Sequence, residues 1–228
     1  MREQESSPPA NPGLPGRNRR ADGARTRARI IESVGQLFGA GGFAETTSKA
    51  IARHAGVDLA SINYHFGSRD GLYKSVLAEA HRRLINLDEL HQIASSALAA
   101  PDKLRQMIEL IVSRAMGPTG WNAHVLAREL LSPTSHLDIL FEEEMPPKFR
   151  IFAGILSEIS GIPARDPALI RCAISVGAPC AMLFVAKRTE SPLARQIERL
   201  PQAAMVEHLL NFALGGLEAV GRGIRASK

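Results

Sequence analysis

Residues 46–73 read TTSKAIARHAGVDLASINYHFGSRDGLY, and two short helices meeting at one tight turn are almost all that such a stretch can form. Thr46, Thr47 and Ser48 offer a cap for a helix over 49–54, and Asp58 can cap another over 59–65. Their side-chain oxygens accept from the free N–H groups of a first turn. Gly56, between the two, permits a backbone angle that other residues resist. Ile51, Ala52, Ala55, Val57, Ile62 and Phe66 fall on the inward faces, and the small Ala52 lets the second helix cross close to the first. Asp58, Leu59, Ala60, Ser61, Asn63, Tyr64 and His65 are left outside. This is the plan of a helix-turn-helix, whose second helix enters a DNA major groove.

The rest of the chain reads as helix as well. Ile30, Ile31, Val34, Leu37 and Phe38 recur at helical spacing up to a stop at Gly39, Gly41 and Gly42. Ser68 can cap a helix carrying Leu72, Tyr73, Val76, Leu77, Ala80 and Leu84. Pro101 opens another, and further helices are expected over 122–131, 137–160, 168–187 and 201–220. Pro146 and Pro147 predict a kink or a junction inside 137–160. With no alternating strand pattern, the fold class is all-α: an N-terminal three-helix domain of the helix-turn-helix kind and a C-terminal helical bundle.

Charge agrees with that division. The net charge is +5, and residues 1–83, with 13 Lys+Arg against 8 Asp+Glu, account for it; residues 84–228 are balanced at 15 and 15. Much of the excess lies before residue 30, so placed residues rather than bulk charge must give the folded headpiece its affinity. Residues 1–24 read as a disordered, basic, proline-rich tail. Its arginines are either solvated or form an arm into a minor groove. The expected domains are therefore the tail at 1–24, the DNA-binding domain at 25–72 and the ligand-binding and dimerisation domain at 73–228. Two cysteines, Cys172 and Cys180, and an N-terminus without the apolar core of a secretory signal suggest the cytoplasm. No uninterrupted apolar run of about 18 residues predicts a membrane span. The seven histidines make no HExxH spacing, and no GxSxG elbow, P-loop or dinucleotide fingerprint occurs. Catalysis, metal and cofactor are accordingly not expected. A DNA-bending protein would have no use for a neutral apolar body of this size.

Residues 26–73 resemble the DNA-binding domain of TetR/AcrR transcriptional repressors, through Leu37-Phe38, Gly42-Phe43, Thr46-Thr47, Ile51-Ala52, Ala55-Gly56-Val57, Tyr64-His65-Phe66, Arg69 and Leu72-Tyr73. INYHFGSRDGLY, with AREL and a Ser-Pro pair at 127–133, is similar to the CecR-like branch. The resemblance implies a dimer on a palindromic double-stranded operator, released by a small-molecule effector. It also implies phosphate contacts from Thr47, Tyr64, His65 and Arg69. Arg69 stands where Lys is usual, which keeps the charge. Asn63 stands where many members have Tyr; Asn can pair with adenine, with Ser61 and Ala60 as the other candidates for base contact. Tyr64 could instead pack its ring, and His65 could cap a helix end.

In the body, Met107, Ile111, Trp121, His124, Arg128 and Phe149 are candidate effector-pocket residues, though Met and Phe at helical spacing also suit a plain core. The helices over 168–187 and 203–220 carry too much apolar surface for one core. Ile170, Ile174, Leu183 and Phe184 are expected inward, with Ala173, Gly177, Ala181, Leu209, Phe212, Ala213 and Gly216 meeting a second copy.

Overall fold

The computed structural model describes residues 15–118, 120–186 and 192–226, all of it helices and connections without a strand among them. The headpiece is α1 (Pro15–Gly41), α2 (Ser48–Ala55), α3 (Leu59–Phe66) and the first half of α4 (Arg69–Leu84). The body adds α5 (Leu87–Ser95), α6 (Ala100–Met116), α7 (Trp121–Leu131), α8 (Met145–Ser160), α9 (Pro167–Ala186), α10 (Pro192–Glu198) and α11 (Gln202–Ala226). Helices α5 and α10 have no counterpart in the sequence reading.

Local chemistry sets the headpiece boundaries. Thr47 accepts from the Ala50 N–H at 3.2 Å, Asp58 from Ser61 at 2.7 Å and Ser68 from Gly71 at 3.0 Å. Between α2 and α3, Gly56 takes φ 62°, its N–H donating to Arg53 and that of Val57 to Ala52. That pair of bonds closes a helix end with a left-handed residue, where a side chain would be strained. Ile30, Val34, Phe38, Ile51, Ile62, Leu72 and Val76 fill the space between the helices. Arg27 ties α1 to its neighbours, donating to Ser75 Oγ at 3.0 Å and lying over the Phe66 ring.

Two features differ from expectation. Residues 15–24, expected as tail, belong to α1; Pro15 suits a first helical position and the Arg and Ala that follow favour helix. Residues 1–14 lie outside the described residues. The expected boundary at 72/73 falls inside α4, because the headpiece core does not close by itself: Trp121, Val125 and Leu126 of α7 and Leu140 belong to it. At Gly35 of α1 an added Cβ would sit 2.4 Å from the Trp121 ring, so the absence of a side chain makes room for the indole. The junction expected at Pro146 and Pro147 is present: a π-helical turn, Leu140–Glu144, leads into α8, whose first turn holds both prolines, where a missing N–H costs nothing.

The body core joins α5, α6, α8, α9 and α11 around Leu104, Ile108, Val112, Leu156, Leu169, Cys172 and Leu210. Helix α9 is long and apolar enough to cross a membrane, at a mean hydropathy of 1.9, yet half of that stretch is buried in the bundle, as in a core helix. The faces expected of α9 and α11 are met in part, with Phe212 and Gly216 outward as a contact with a second copy requires. Ala173 and Ala213 are buried in the body's own core, while Ile170 and Ile174 are exposed, as are Met182, Phe212, Gly216 and Val220. Leu183 is buried as expected; Phe184, Gly177, Ala181 and Leu209 are half-buried. Small residues let α9 and α11 approach closely within one chain, which leaves the larger side chains outside.

The second half of α4 is anchored to the body by polar groups. Lys148 of α8 is only 5% exposed and donates to His81 Nδ1 at 2.8 Å and Glu144 at 3.1 Å, while Arg82 also reaches Glu144. An ammonium has no acceptor, so this His81 nitrogen must carry a lone pair and the ring is neutral. Burial first, then the Lys148 charge, hold the imidazole down from its ordinary 6.5 to about 4. Between those values the unfolded chain binds the extra proton. The stability that depends on a neutral His81 is therefore whole above pH 6.5 and declines as pH falls toward 4. Each tenfold preference of the unfolded chain for that proton is worth ~1.4 kcal/mol, so the wild type should lose about 2 kcal/mol more than His81→Gln between pH 7 and 5, read from urea melts. Parallel pH dependence of the two chains would contradict this origin.

Candidate nucleic-acid interface

Helix α3 presents Ala60, Asn63 and Tyr64 to solvent. The i, i+3 and i+4 spacing puts them on one face. Tyr64 is 84% exposed, its ring touching only the edge of His65 at a centroid distance of 5.0 Å among the ring contacts. An aromatic ring held in water gains nothing within the chain and is free to lie against a partner. Ser61 is half-buried beside the cap of its own helix. His65 is half-buried toward Phe66 and Gly23, which places it on the α1 side. Thr47 is exposed at the start of α2, where its hydroxyl caps the helix and several first-turn N–H groups face outward.

Arg69, in the first turn of α4, is half-buried. Its guanidinium lies 4.0 Å from the Phe43 ring centroid and donates to the Phe43 carbonyl. On the body side, Arg128 Nη2 donates to the Ala40 carbonyl at 3.0 Å and lies against Gly42. Two guanidinium groups thus hold the α1–α2 turn, and the Nε of each is buried without a hydrogen-bond partner among the described residues.

The residues expected around an effector do not assemble. Trp121, His124 and Arg128 face α1: Trp121 Nε1 donates to Glu32 at 3.0 Å, His124 packs on Gly39, and Arg83 bridges Glu32 at 2.7 Å while lying over the indole. Met107 is in the body core, Ile111 is half-buried and Phe149 is exposed. The error is one of helix phase. Helix α7 has apolar residues on several sides, and only its neighbours decide which side meets α1. A separate small cavity of about 180 Å³ opens at the end of α6, between α9 and α10, lined by Ala115, Met116, Leu183 and Ile197 among others. Among the described residues, no group of three His, Cys, Asp or Glu could hold a metal ion.

The sequence reading missed a buried acid. Glu129 of α7 is 1% exposed, and its carboxylate accepts from Tyr73 Oη, Thr134 N and Thr134 Oγ1, each at 2.7 Å. Burial first, then the Glu129 bond, push the Tyr73 hydroxyl well above its ordinary range, so it remains a donor. Thr134 Oγ1 lies 3.1 Å from His136 Nδ1, and His136 Nε2 lies 3.0 Å from Asp70. The signal available was an acid amid the apolar residues of AREL, which pattern alone could not distinguish from a surface ion pair.

Comparison with known proteins fits these helices. A family described as "Bacterial regulatory proteins, tetR family" matches residues 30–76. Another, "HTH-type transcriptional dual regulator CecR, C-terminal domain", matches residues 100–217. The chain is 29% identical over 86 residues to the probable HTH-type transcriptional regulator YttP of Bacillus subtilis, covering 38% of this chain and only 40% of that protein. It is 26% identical over 162 residues to the dual regulator CecR of Shigella flexneri, covering 65% of this chain and 70% of that one. In fold it resembles the crystal structure of FadR from Bacillus subtilis in complex with stearoyl-CoA, at a TM-score of 0.63 and 17% identity, covering 83% and 98% of the two chains. The matched headpiece and body together make this chain a member of the TetR family of DNA-binding transcriptional regulators, in its CecR-like branch, and not an enzyme.

Proposed function

We propose that this regulator is a homodimer that binds a palindromic operator in the bacterial cytoplasm, represses from it, and is released by a small apolar effector. The DNA-reading part is carried by one observation: Asn63 and the 84%-exposed Tyr64 stand on the free face of the second helix of the headpiece. Asn63 offers a base edge both a donor and an acceptor, with Ala60 and Ser61 alongside. We assign phosphate contacts to Tyr64, Thr47, His65 and Arg69, as the family resemblance implies.

The exposed apolar face of α9 and α11 supports the dimer. Phe212 is 73% exposed and Ile174 62%, beside a groove of about 260 Å³ lined by Ser175, Phe212, Gly216 and Val220 among others. A two-fold axis through this face would pair the helices of two copies and bring the recognition helices to successive grooves, ~34–36 Å apart.

Effector action is read from α4 and the small cavity. Arg114, beside the lining residues Ala115 and Met116, donates to the Leu84 carbonyl at the end of α4 at 2.8 Å and pairs with Glu89. A ligand wedged there would displace the end of α4 and tilt the headpiece. Only its preference for the tilted form drives release, and such coupling is typically ~1–3 kcal/mol. FadR holds an acyl-CoA in this fold. The cavity here, at about 180 Å³, lies below the ~300–1,000 Å³ of drug-sized pockets and suits a smaller apolar molecule.

Selection of bound duplexes from a random pool should return a palindrome; absence of sequence preference would overturn the reading. Transcription from a template bearing that palindrome should fall when the protein is added, and an increase would overturn repression. Asn63→Ala should lose ~1–3 kcal/mol of discrimination at one position per half-site, seen as a relaxed position on repeated selection; an unchanged preference removes Asn63 from base contact. Arg69→Ala should flatten the salt dependence by about one unit per phosphate lost, whereas Arg69→Lys should keep it. Phe212→Glu should give a monomer mass in light scattering at micromolar concentration; a retained dimer would place the interface elsewhere.

A further inference from the structure

The geometry points to Glu129 as a positioning residue for DNA recognition: through Tyr73, and through Thr134, His136 and Asp70, it fixes the first turn of α4 against the body and thereby sets the spacing of the two headpieces. The inference rests on the dimeric reading above. Two routes leave the same buried carboxylate. One is the Tyr73 hydroxyl, one turn into α4, at 2.7 Å. The other runs from Thr134 to His136 and ends at Asp70, beside Arg69. Between them the rings lock together. Tyr73 stacks on Phe43 at 4.4 Å, and His136 meets both edge-on, at 5.3 Å and 4.8 Å. Phe43 is the residue whose carbonyl and ring hold Arg69, and it lies four residues before Thr47. A connection of the body thus reaches the turn that leads into the DNA-facing helices.

Hydrogen bonds to a buried carboxylate are directional and costly to leave unmade. Apolar packing of α4 on α7 tolerates a small roll; these bonds do not. Helix α3 ends two residues before α4 and packs on it through Ile62, so a roll of the first turn of α4 carries the recognition helix with it. Single-site DNA contacts would survive such a roll, but the match to two grooves at once would not.

The test uses the full chain and the palindrome it selects, the same duplex with two base pairs inserted at its centre, and a duplex with one half-site. Wild type should prefer the uninterrupted palindrome; if it does not, the dimeric reading fails and not this inference. Given that preference, Tyr73→Phe removes one hydroxyl and keeps the ring stack, and Tyr73→Phe/His136→Asn opens both routes. The expected result is half-site binding within about twofold of wild type and a preference for the uninterrupted spacing reduced about tenfold, the scale of one charge-assisted bond. Val112→Ala, a cavity in the body core away from the joint, should lower the melting temperature and keep the preference. The inference is overturned if the Tyr73 variants keep the spacing preference while losing stability as Val112→Ala does. A half-site affinity that falls in step with the palindrome also overturns it. Should the double variant fail to fold, Tyr73→Phe alone decides.

Discussion

A carboxylate buried to 1% exposure with no cation hydrogen-bonded to it among the described residues is the constraint around which the halves of this protein meet. Placing such a group in an apolar joint costs several kcal/mol unless donors surround it. Glu129 has three, and they come from α4 and from the connection after α7. The carboxylate is satisfied only when those segments sit together. Beside it, Val125 and Leu126 in the headpiece core give affinity between the halves, and Trp121, seated in the notch at Gly35, adds a steric fit. The polar bonds supply the register.

Helix α4 consequently has two masters. Its first half is part of the headpiece core and its second half is held by Lys148, Glu144 and Arg114 of the body. The second half also buries Leu77, Ala80 and Leu84 in the same core as the headpiece, and its ties to the body include a neutral imidazole held against an ammonium. A helix built into the headpiece core along its length and tied to the body at its far end belongs to both halves. Apolar packing in the body core resists compression and passes a displacement on rather than absorbing it.

The helix-turn-helix was legible because its determinants are local. Thr47, Asp58 and Ser68 cap the helices that follow them, and Gly56 takes the left-handed angle its position demanded. Each is a matter of a few neighbouring backbone groups, decided before any tertiary contact forms. The same holds for the outward placement of Asn63 and Tyr64, since a short helix with an apolar stripe has one choice of inner face. The body was not legible to the same degree. Helices α7 and α9 are apolar on several sides, so period alone left their phase open. Ala173 and Ala213 went inward, and Trp121, His124 and Arg128 turned to α1 instead of toward a pocket.

By itself the sequence determined the class of the chain, the boundaries of its DNA-facing helices to within a residue and the outward placement of Ala60, Asn63 and Tyr64, because capping, glycine geometry and amphipathic period act over three or four residues. It did not determine that of Ser61 and His65, which are half-buried. Only the tertiary structure decided that α7 completes the headpiece core, that α9 and α11 present Ile174 and Phe212 outward, and that Glu129 sits under Tyr73 and Thr134. These depend on partners far apart in the chain, as Tyr73 and Glu129 are at a separation of 56 residues, or on which of two apolar faces finds the better-filled space. A local pattern holds no information about either.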